Sequence, residues 1–238
     1  MDDQRFSVKS ELLDNYEDYY AGGATEWRWL SAQAKADNVV ALCGDKRNQS
    51  VLEVGSGDGS ILKRLSDMEF SKTFFSVEIS NSAVEAIRKR NIPGLAECRL
   101  FDGYNIPYED NRFGLVILSH VVEHVEYPRR LIYEASRVAD QVFIEVPLED
   151  NARLKEDFVF DSTGHINFYN RKTIRQLVQS CGLRVLDQRT TNSSLAVYRF
   201  ANGWKGPAKF LPKQVLLKLS QRLATSLWTY HCALLCER

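Results

Sequence analysis

The sequence predicts an α/β fold in three layers, a mainly parallel sheet covered by helices on both faces. From residue 50 onward, short β-branched or aromatic runs alternate with amphipathic stretches. The stretches 81–95 and 127–140 have the length of crossover helices, which return the chain to a parallel neighbour. The size fits as well. The 238 residues, 44% apolar and 26% charged, describe a globular chain that buries its core without staples.

In chain order, residues 9–20 and 26–43 place apolar side chains at helical spacing. The first set is Leu12, Tyr16 and Tyr19; the second is Trp27, Leu30, Ala34 and Val39. Gly22-Gly23 separates them, and together they predict an N-terminal helical cap over residues 1–45. Strands are expected at VLEV (51–54), TFFSVEI (73–79), AECRLF (96–101), FGLVILS (113–119), QVFIEV (141–146), LRVLDQR (183–189) and YHCALLC (230–236). Helices are expected at 59–68, 80–91, 128–138 and 172–181. A longer segment, 192–229, carries an amphipathic helix near 211–228, with Leu211, Val215, Leu216, Leu219, Leu223 and Leu227 able to share one stripe. The whole reads as one domain, 1–238, with the cap, a core over 46–190 and a C-terminal helix and last strand over 191–238.

Lys and Arg number 31 and Asp and Glu 31, so the net charge is zero. That argues against a general nucleic-acid binder, which needs excess cations to neutralise phosphates. Neutrality hides a polarity along the chain. Seven acids fall in the first 26 residues, while 188–236 holds seven cations and no acid. A solvated basic helix face, or a rim that attracts an anionic acceptor or an anionic membrane surface, both fit. No apolar run approaches the roughly 18 residues of a membrane span. The acidic, polar N-terminus has no signal-peptide pattern, so a cytoplasmic location is expected. The five cysteines are odd in number and form no CxxC pair, which reads as reduced, packed thiols.

In sheets of this kind, ligands bind outside the carboxyl ends of the strands, where the strand order reverses. After the first strand comes Glu53-Val54-Gly55-Ser56-Gly57-Asp58-Gly59-Ser60. Glycines at alternate positions let the backbone turn sharply and approach a ligand. The register is not that of the dinucleotide loop GxGxxG, because Ser60 follows Gly59. Glu53 just before the loop suits a cationic ligand better than a pyrophosphate. Glu78 ends the second strand, placed to accept from ribose hydroxyls. Asp102 ends the third, placed to accept from an exocyclic amine, with Phe101 and Ile106 flanking a ring. The fourth ends in Ser119-His120.

In this order, VLEVGSGDGS, VEIS, FDGYNIPYEDNRFGLVILSHVVEHV and GHINFYNRKTIRQLVQSCGL resemble the class I S-adenosylmethionine-dependent methyltransferases of the small-molecule type. The likeness covers about residues 48–190 well and HCALLCE loosely. It implies a doubly wound, Rossmann-like, seven-stranded sheet with the last strand antiparallel, and S-adenosylmethionine as cofactor. It further implies Glu53, Gly55, Ser56, Gly57 and Gly59 around the methionine part and Glu78 and Ile79 at ribose and adenine. Asp102 and Gly103 would border the adenine, and Ser119 and His120 the methyl end. One departure is Phe113-Gly114, where the family usually has Phe-Asp.

Methyl transfer needs an aligned nucleophile and, for a hydroxyl acceptor, a base; His suits that near neutral pH. Of the four histidines, His165 in a glycine- and aromatic-rich loop and His120 are the candidates to orient or deprotonate the acceptor. His124 reads as structural and His231 as packing. HVVEH lacks the Glu-after-His order of HExxH, so no metal is expected. Trp27, Trp29, Tyr19 and Tyr20 fit either a pocket wall or glue for the cap. The leading expectation is transfer to an O or N atom of a small molecule, such as a sugar or other biosynthetic intermediate. A nucleotide-dependent oxidoreductase, a protein methyltransferase and a non-catalytic protein retaining the fold are the alternatives.

Overall fold

The structure, a computed structural model, describes residues 25–158 and 164–238. The helix expected at 9–20, with Tyr19 and Tyr20, lies outside the described residues. Seven strands form one sheet: β1 (Ser50–Val54), β2 (Thr73–Glu78), β3 (Leu95–Leu100), β4 (Phe113–Ser119), β5 (Ala139–Pro147), β6 (Arg184–Thr191) and β7 (His231–Glu237). Their order is β3-β2-β1-β4-β5-β7-β6. The β1–β2, β2–β3, β1–β4 and β4–β5 pairs are parallel, and β7 runs antiparallel to both β5 and β6. The order reverses between β1 and β4, so a crevice opens beyond Val54 and Ser119.

β4 and β5 are almost wholly buried, as strands covered on both faces must be, and so they read as unbroken apolar runs. Alternation then divides the side chains. Leu115 and Ile117 face one side, with Ala32, Ala36, Val39, Leu62, Leu65 and Ile87 of the helices α1 (Thr25–Cys43), α2 (Ser60–Asp67) and α3 (Asn81–Lys89). Val116 and Leu118 face the other, with Leu131, Ala135, Ile174 and Val178 of α4 (Pro128–Val138) and α5 (Arg171–Ser180). Local signals set the helix starts. Ser80 Oγ accepts from Ala83 N at 3.1 Å. Asn170 and Thr173 form a reciprocal capping box on α5, and Pro128 opens α4.

Two expectations need correction. The helix expected at 26–43 is there, but it is one member of a helical layer, and its buried face is Ala32, Ala36, Val39 and Cys43. Trp27 remains 39% exposed. Small residues let α1 lie close to the sheet and α2, which the larger Trp27–Leu30–Ala34 stripe would not. Trp29 serves the α1–α2 junction, with the Arg64 guanidinium 3.4 Å above its ring and donating to its carbonyl at 3.2 Å.

The segment 192–229, expected to carry one helix near 211–228, carries three, and two of them share that span. The three are α6 (Leu195–Asn202), α7 (Gly206–Leu219) and α8 (Gln221–Leu227). The chain breaks at Ser220, which adopts an extended conformation and caps α8 by accepting from Leu223 N. Of the expected stripe, Leu216 alone packs against the core. Leu211, Val215, Leu219, Leu223 and Leu227 face outward, while Lys213 turns inward, donating to Thr229 O at 2.8 Å below the Tyr230 ring.

Candidate active site

At the crevice, Gly55, Gly57 and Gly59 take φ of +70°, +57° and +73°, the left-handed region open to glycine. The loop is pinned on both sides. Gly55 N donates to Val77 O and Gly59 N to Ser56 O, each at 2.9 Å. Ser56 Oγ bonds Glu53 O at 3.0 Å and shares a hydrogen bond with Ser76 Oγ at 2.8 Å. At Gly55, a Cβ would stand 2.7 Å from Val121 Cγ2, so the β1 loop and the turn after β4 fit only with glycine here.

Glu78 is buried. Its carboxylate accepts from Gly57 N at 2.6 Å and Ile79 N at 2.8 Å, tying the end of β2 to the loop. Asp102 is exposed, and it accepts from Tyr104 N at 2.9 Å and Asn105 N at 2.7 Å. It builds its own turn, which sets the buried Gly103 at φ +91°. Asp58 steadies the helix start after the loop, where Arg90 Nη2 reaches it at 2.7 Å. Where the family's Phe-Asp is Phe113-Gly114, a Cβ would meet the Gln49 side chain at 2.6 Å; Gln49 occupies that space.

The crevice fits a cofactor that carries a positive charge. Glu53 is 1% exposed, and among the described residues its Oε2 has no hydrogen-bond partner. Burial pushes its pKa well up, with the Lys35 charge opposing. A buried carboxylate oxygen left unpaired beside a glycine cradle is what a cationic ligand would satisfy. Sequence reasoning missed Lys35. It reaches from α1 into the field of Glu145, Glu123, Glu53 and Asp58, and burial lowers its pKa.

All four histidines meet at the carboxyl edge of β4 and β5. His120 leaves β4 at φ +59°, strained for a residue with a Cβ. His120 N donates to Glu145 O at 2.8 Å. Its Nε2 lies 3.1 Å from His231 Nδ1, and His231 Nε2 lies 2.9 Å from Ser193 Oγ. His231 therefore belongs to the site, a role that its place in an apolar strand concealed. Burial drives the pKa of both imidazoles well down, so both are neutral. Glu145 accepts from Ser119 Oγ at 3.2 Å and Asn38 Nδ2 at 2.9 Å. Burial raises its pKa to about 7.

His165 Nδ1 stands 2.7 Å from Glu149 Oε2, and its ring packs edge-on against His124 at 4.7 Å. The two sequence candidates, His120 and His165, lie in neighbouring clusters joined by Glu123, whose Oε1 is 3.0 Å from His120 Nδ1. Sequence reasoning missed Glu123, Glu145 and Glu149. EHV gave a signal for the first, but the other two show only once β5 lies beside β4.

Comparison with known proteins bears on the family and the fold. The family profile described as "Methyltransferase domain" matches residues 27–188. The Bacillus subtilis protein YrhH is 23% identical over 141 residues, 57% of this chain and 77% of its own. The mitochondrial ubiquinone biosynthesis O-methyltransferase of Candida albicans is 25% identical over 182 residues, 66% of this chain. This chain spans only about half of that enzyme, 53%. Among solved structures, a Haemonchus contortus phosphoethanolamine N-methyltransferase, bound to phosphomonomethylethanolamine and S-adenosylhomocysteine, superposes with TM-score 0.68 at 14% identity. That match covers 97% of this chain and 61% of the other. With the profile spanning more than half of its length, the chain belongs to the methyltransferase-domain family, enzymes that draw their methyl group from S-adenosylmethionine.

Proposed function

We propose that this enzyme methylates an oxygen or nitrogen atom of a small-molecule acceptor at the mouth formed by the ends of β4 and β5. The observation that carries the reading is the nearness of a cationic-ligand cradle, Glu53 with Gly55–Gly59, to the neutral imidazole pair His120 and His231, from the two strands that flank β5. S-adenosylmethionine supplies an electrophilic methyl group on a sulfonium when bound. The chain's residues do the rest. Glu53, Ser56 and the loop glycines hold the methionine end, Glu78 and Ile79 the ribose, and Asp102 with Gly103 the adenine side. Ser119 and His120 border the methyl end. His120, kept uncharged by burial, takes the proton of a hydroxyl acceptor and shares it with His231. His165, fixed by Glu149, orients the acceptor from the facing loop.

Lys205, Lys209, Lys218 and Arg222 are exposed on the C-terminal helices, and a basic surface there would attract an anionic acceptor or favour one met at an anionic surface. Lys213 is not part of it, because it is drawn inward. Once an acceptor is known, its KM should rise with salt, and should rise at low salt when the four exposed cations are changed to Gln. A KM indifferent to both would remove that surface from recognition.

The site assignment is tested by calorimetry and turnover together. Gly57→Val and Glu78→Ala should each weaken S-adenosylmethionine binding by at least about tenfold, since one fills the cradle and the other unties it. His165→Ala should lower turnover by about a hundredfold or more while leaving cofactor affinity within about threefold. Wild-type affinity in both cradle variants would overturn the assignment.

A further inference from the structure

We propose that the outer face of α7 and α8 docks on an anionic lipid surface, lying in the headgroup region and not crossing it. These helices belong to an insertion, residues 195–227, between β6 and β7. It leaves and rejoins the sheet at one edge, where Thr191 pairs with His231 and His231 with Pro147. Ser226 O accepts from Ala152 N at 2.9 Å, and Tyr230 Oη donates to Lys213 O at 2.8 Å. The fold therefore holds α7 and α8 in place and sets which of their sides faces out.

α7 is apolar on two opposite sides. Leu216 and Leu217 pack on the core. Leu211, Val215 and Leu219 stand four apart, so they share one face, and all three are exposed. Trp204, just before α7, and Leu223 and Leu227 on α8 are exposed as well. Trp204 at 86% and Leu219 at 78% are the two most exposed large apolar side chains among the described residues. A helix at a protein surface needs one apolar side for the core; a second apolar side marks a second apolar partner.

Charge decides which partner. The stretch 188–236 holds seven cations and no acid. Lys209 and Lys218 are exposed, and at helical spacing they fall on the two flanks of the Leu211–Val215–Leu219 row. Lys205 Nζ stands 5.4 Å from the centre of the Trp204 ring, and the exposed Arg222 precedes Leu223. Leucines along the middle, cations at the sides and a tryptophan at one end suit an interfacial helix. Its apolar face sinks to the acyl boundary while its cations meet lipid phosphates.

A second copy of the chain is the worse occupant. A two-fold interface sets the same patch on both sides, so cations would face cations with no acid of 188–236 between them. Among the described residues, no helix is long and apolar enough to cross a membrane, so the face lies on the surface. The docking stands apart from the methyl-transfer reading and holds whatever the acceptor is.

The experiment floats the full chain with vesicles of phosphatidylcholine alone, and with vesicles in which about a third of the lipid is phosphatidylglycerol. The protein should float with the anionic vesicles, bind the neutral ones at least about tenfold more weakly, and come off as salt is raised. Tryptophan emission should shift to the blue on binding, and Trp204→Phe should lose most of that shift while still floating. Leu211, Val215 and Leu219 changed together to Ser should weaken binding by at least about tenfold, with melting curves confirming that the variant folds. Its S-adenosylmethionine affinity without vesicles should match the wild type, which keeps docking and cofactor binding apart. No flotation of folded wild-type protein, or equal flotation of wild type and the Ser variant, overturns the proposal. Equal binding to neutral and anionic vesicles overturns it too. So does a dimer in sedimentation that the Ser variant breaks while neither protein binds lipid.

Discussion

His120 holds a left-handed backbone, φ +59°, directly after a buried strand. A residue with a Cβ pays of order 1–2 kcal/mol for that conformation, and its surroundings over-determine it. Its N–H is bonded to Glu145 O, and its ring is bracketed by His231 and Glu123. Strain kept at the carboxyl edge of the sheet, beside the glycine loop, fits a side chain held for its chemistry. His120→Asn tests this, because Asn tolerates the same backbone. Its melting temperature should stay within a few degrees of wild type, while turnover falls about a hundredfold or more. A large loss of stability with unchanged turnover would make His120 structural. Residues of this class were legible wherever a special backbone demands a special residue, as in Gly55, Gly57 and Gly59. His231 was not legible. Its partner lies 111 positions earlier, and only the antiparallel return of β7 brings the two together. Glu145 and Glu149 were hidden for the same reason.

At the scale of elements, strands and crossover helices followed from periodicity because each buries one stripe or two full faces. The region from α6 to α8 did not follow. Five leucine-type positions spaced four apart, 211 to 227, promise a packed stripe, yet Leu219 is 78% exposed and the inward residues are Gly206, Leu217 and Ala224. Periodicity gives the existence of a face and not which face turns in; a proline at 212 and the break at Ser220 decided that. Replacing Leu211, Val215 and Leu219 together by Ser should therefore change stability by little, within about 0.5 kcal/mol per site. Leu217→Ala should cost about 2–4 kcal/mol. Denaturant midpoints will read the contrast, and the reverse ranking would restore the packed stripe.

Lys213 offers an independent check on the same orientation. Burial lowers its pKa to about 8 from the ordinary 10.5. Between these values the unfolded chain binds a proton that the folded chain has lost, so stability rises with pH. Compared with Lys213→Met, the wild type should gain stability from pH 8 to 10.5 and show a constant difference below about pH 7. Parallel curves over the whole range would place the amine in solvent.

For the molecule as a whole, binding at a crevice that spans β1, β2 and β4 should stabilise all of them together. S-adenosylmethionine at a hundred times its Kd adds about 2.7 kcal/mol, a rise in melting temperature of roughly 5–10 °C for a chain of this size. Fold and cofactor chemistry were readable because the sheet's turns use residues that few other structures need. The acceptor was not, because the mouth proposed for it is assembled from five separate segments: the ends of β4 and β5, the loop at 164–167, the start of α6 and the start of β7. The account therefore turns on where the methyl group goes. Purified enzyme should be incubated with methyl-labelled S-adenosylmethionine and a metabolite extract, and the products separated by mass. Label should appear in a low-mass compound, attached to oxygen or nitrogen, and should vanish with Gly57→Val. Label confined to protein, or no transfer at all with the cofactor bound, would contradict a small-molecule methyltransferase.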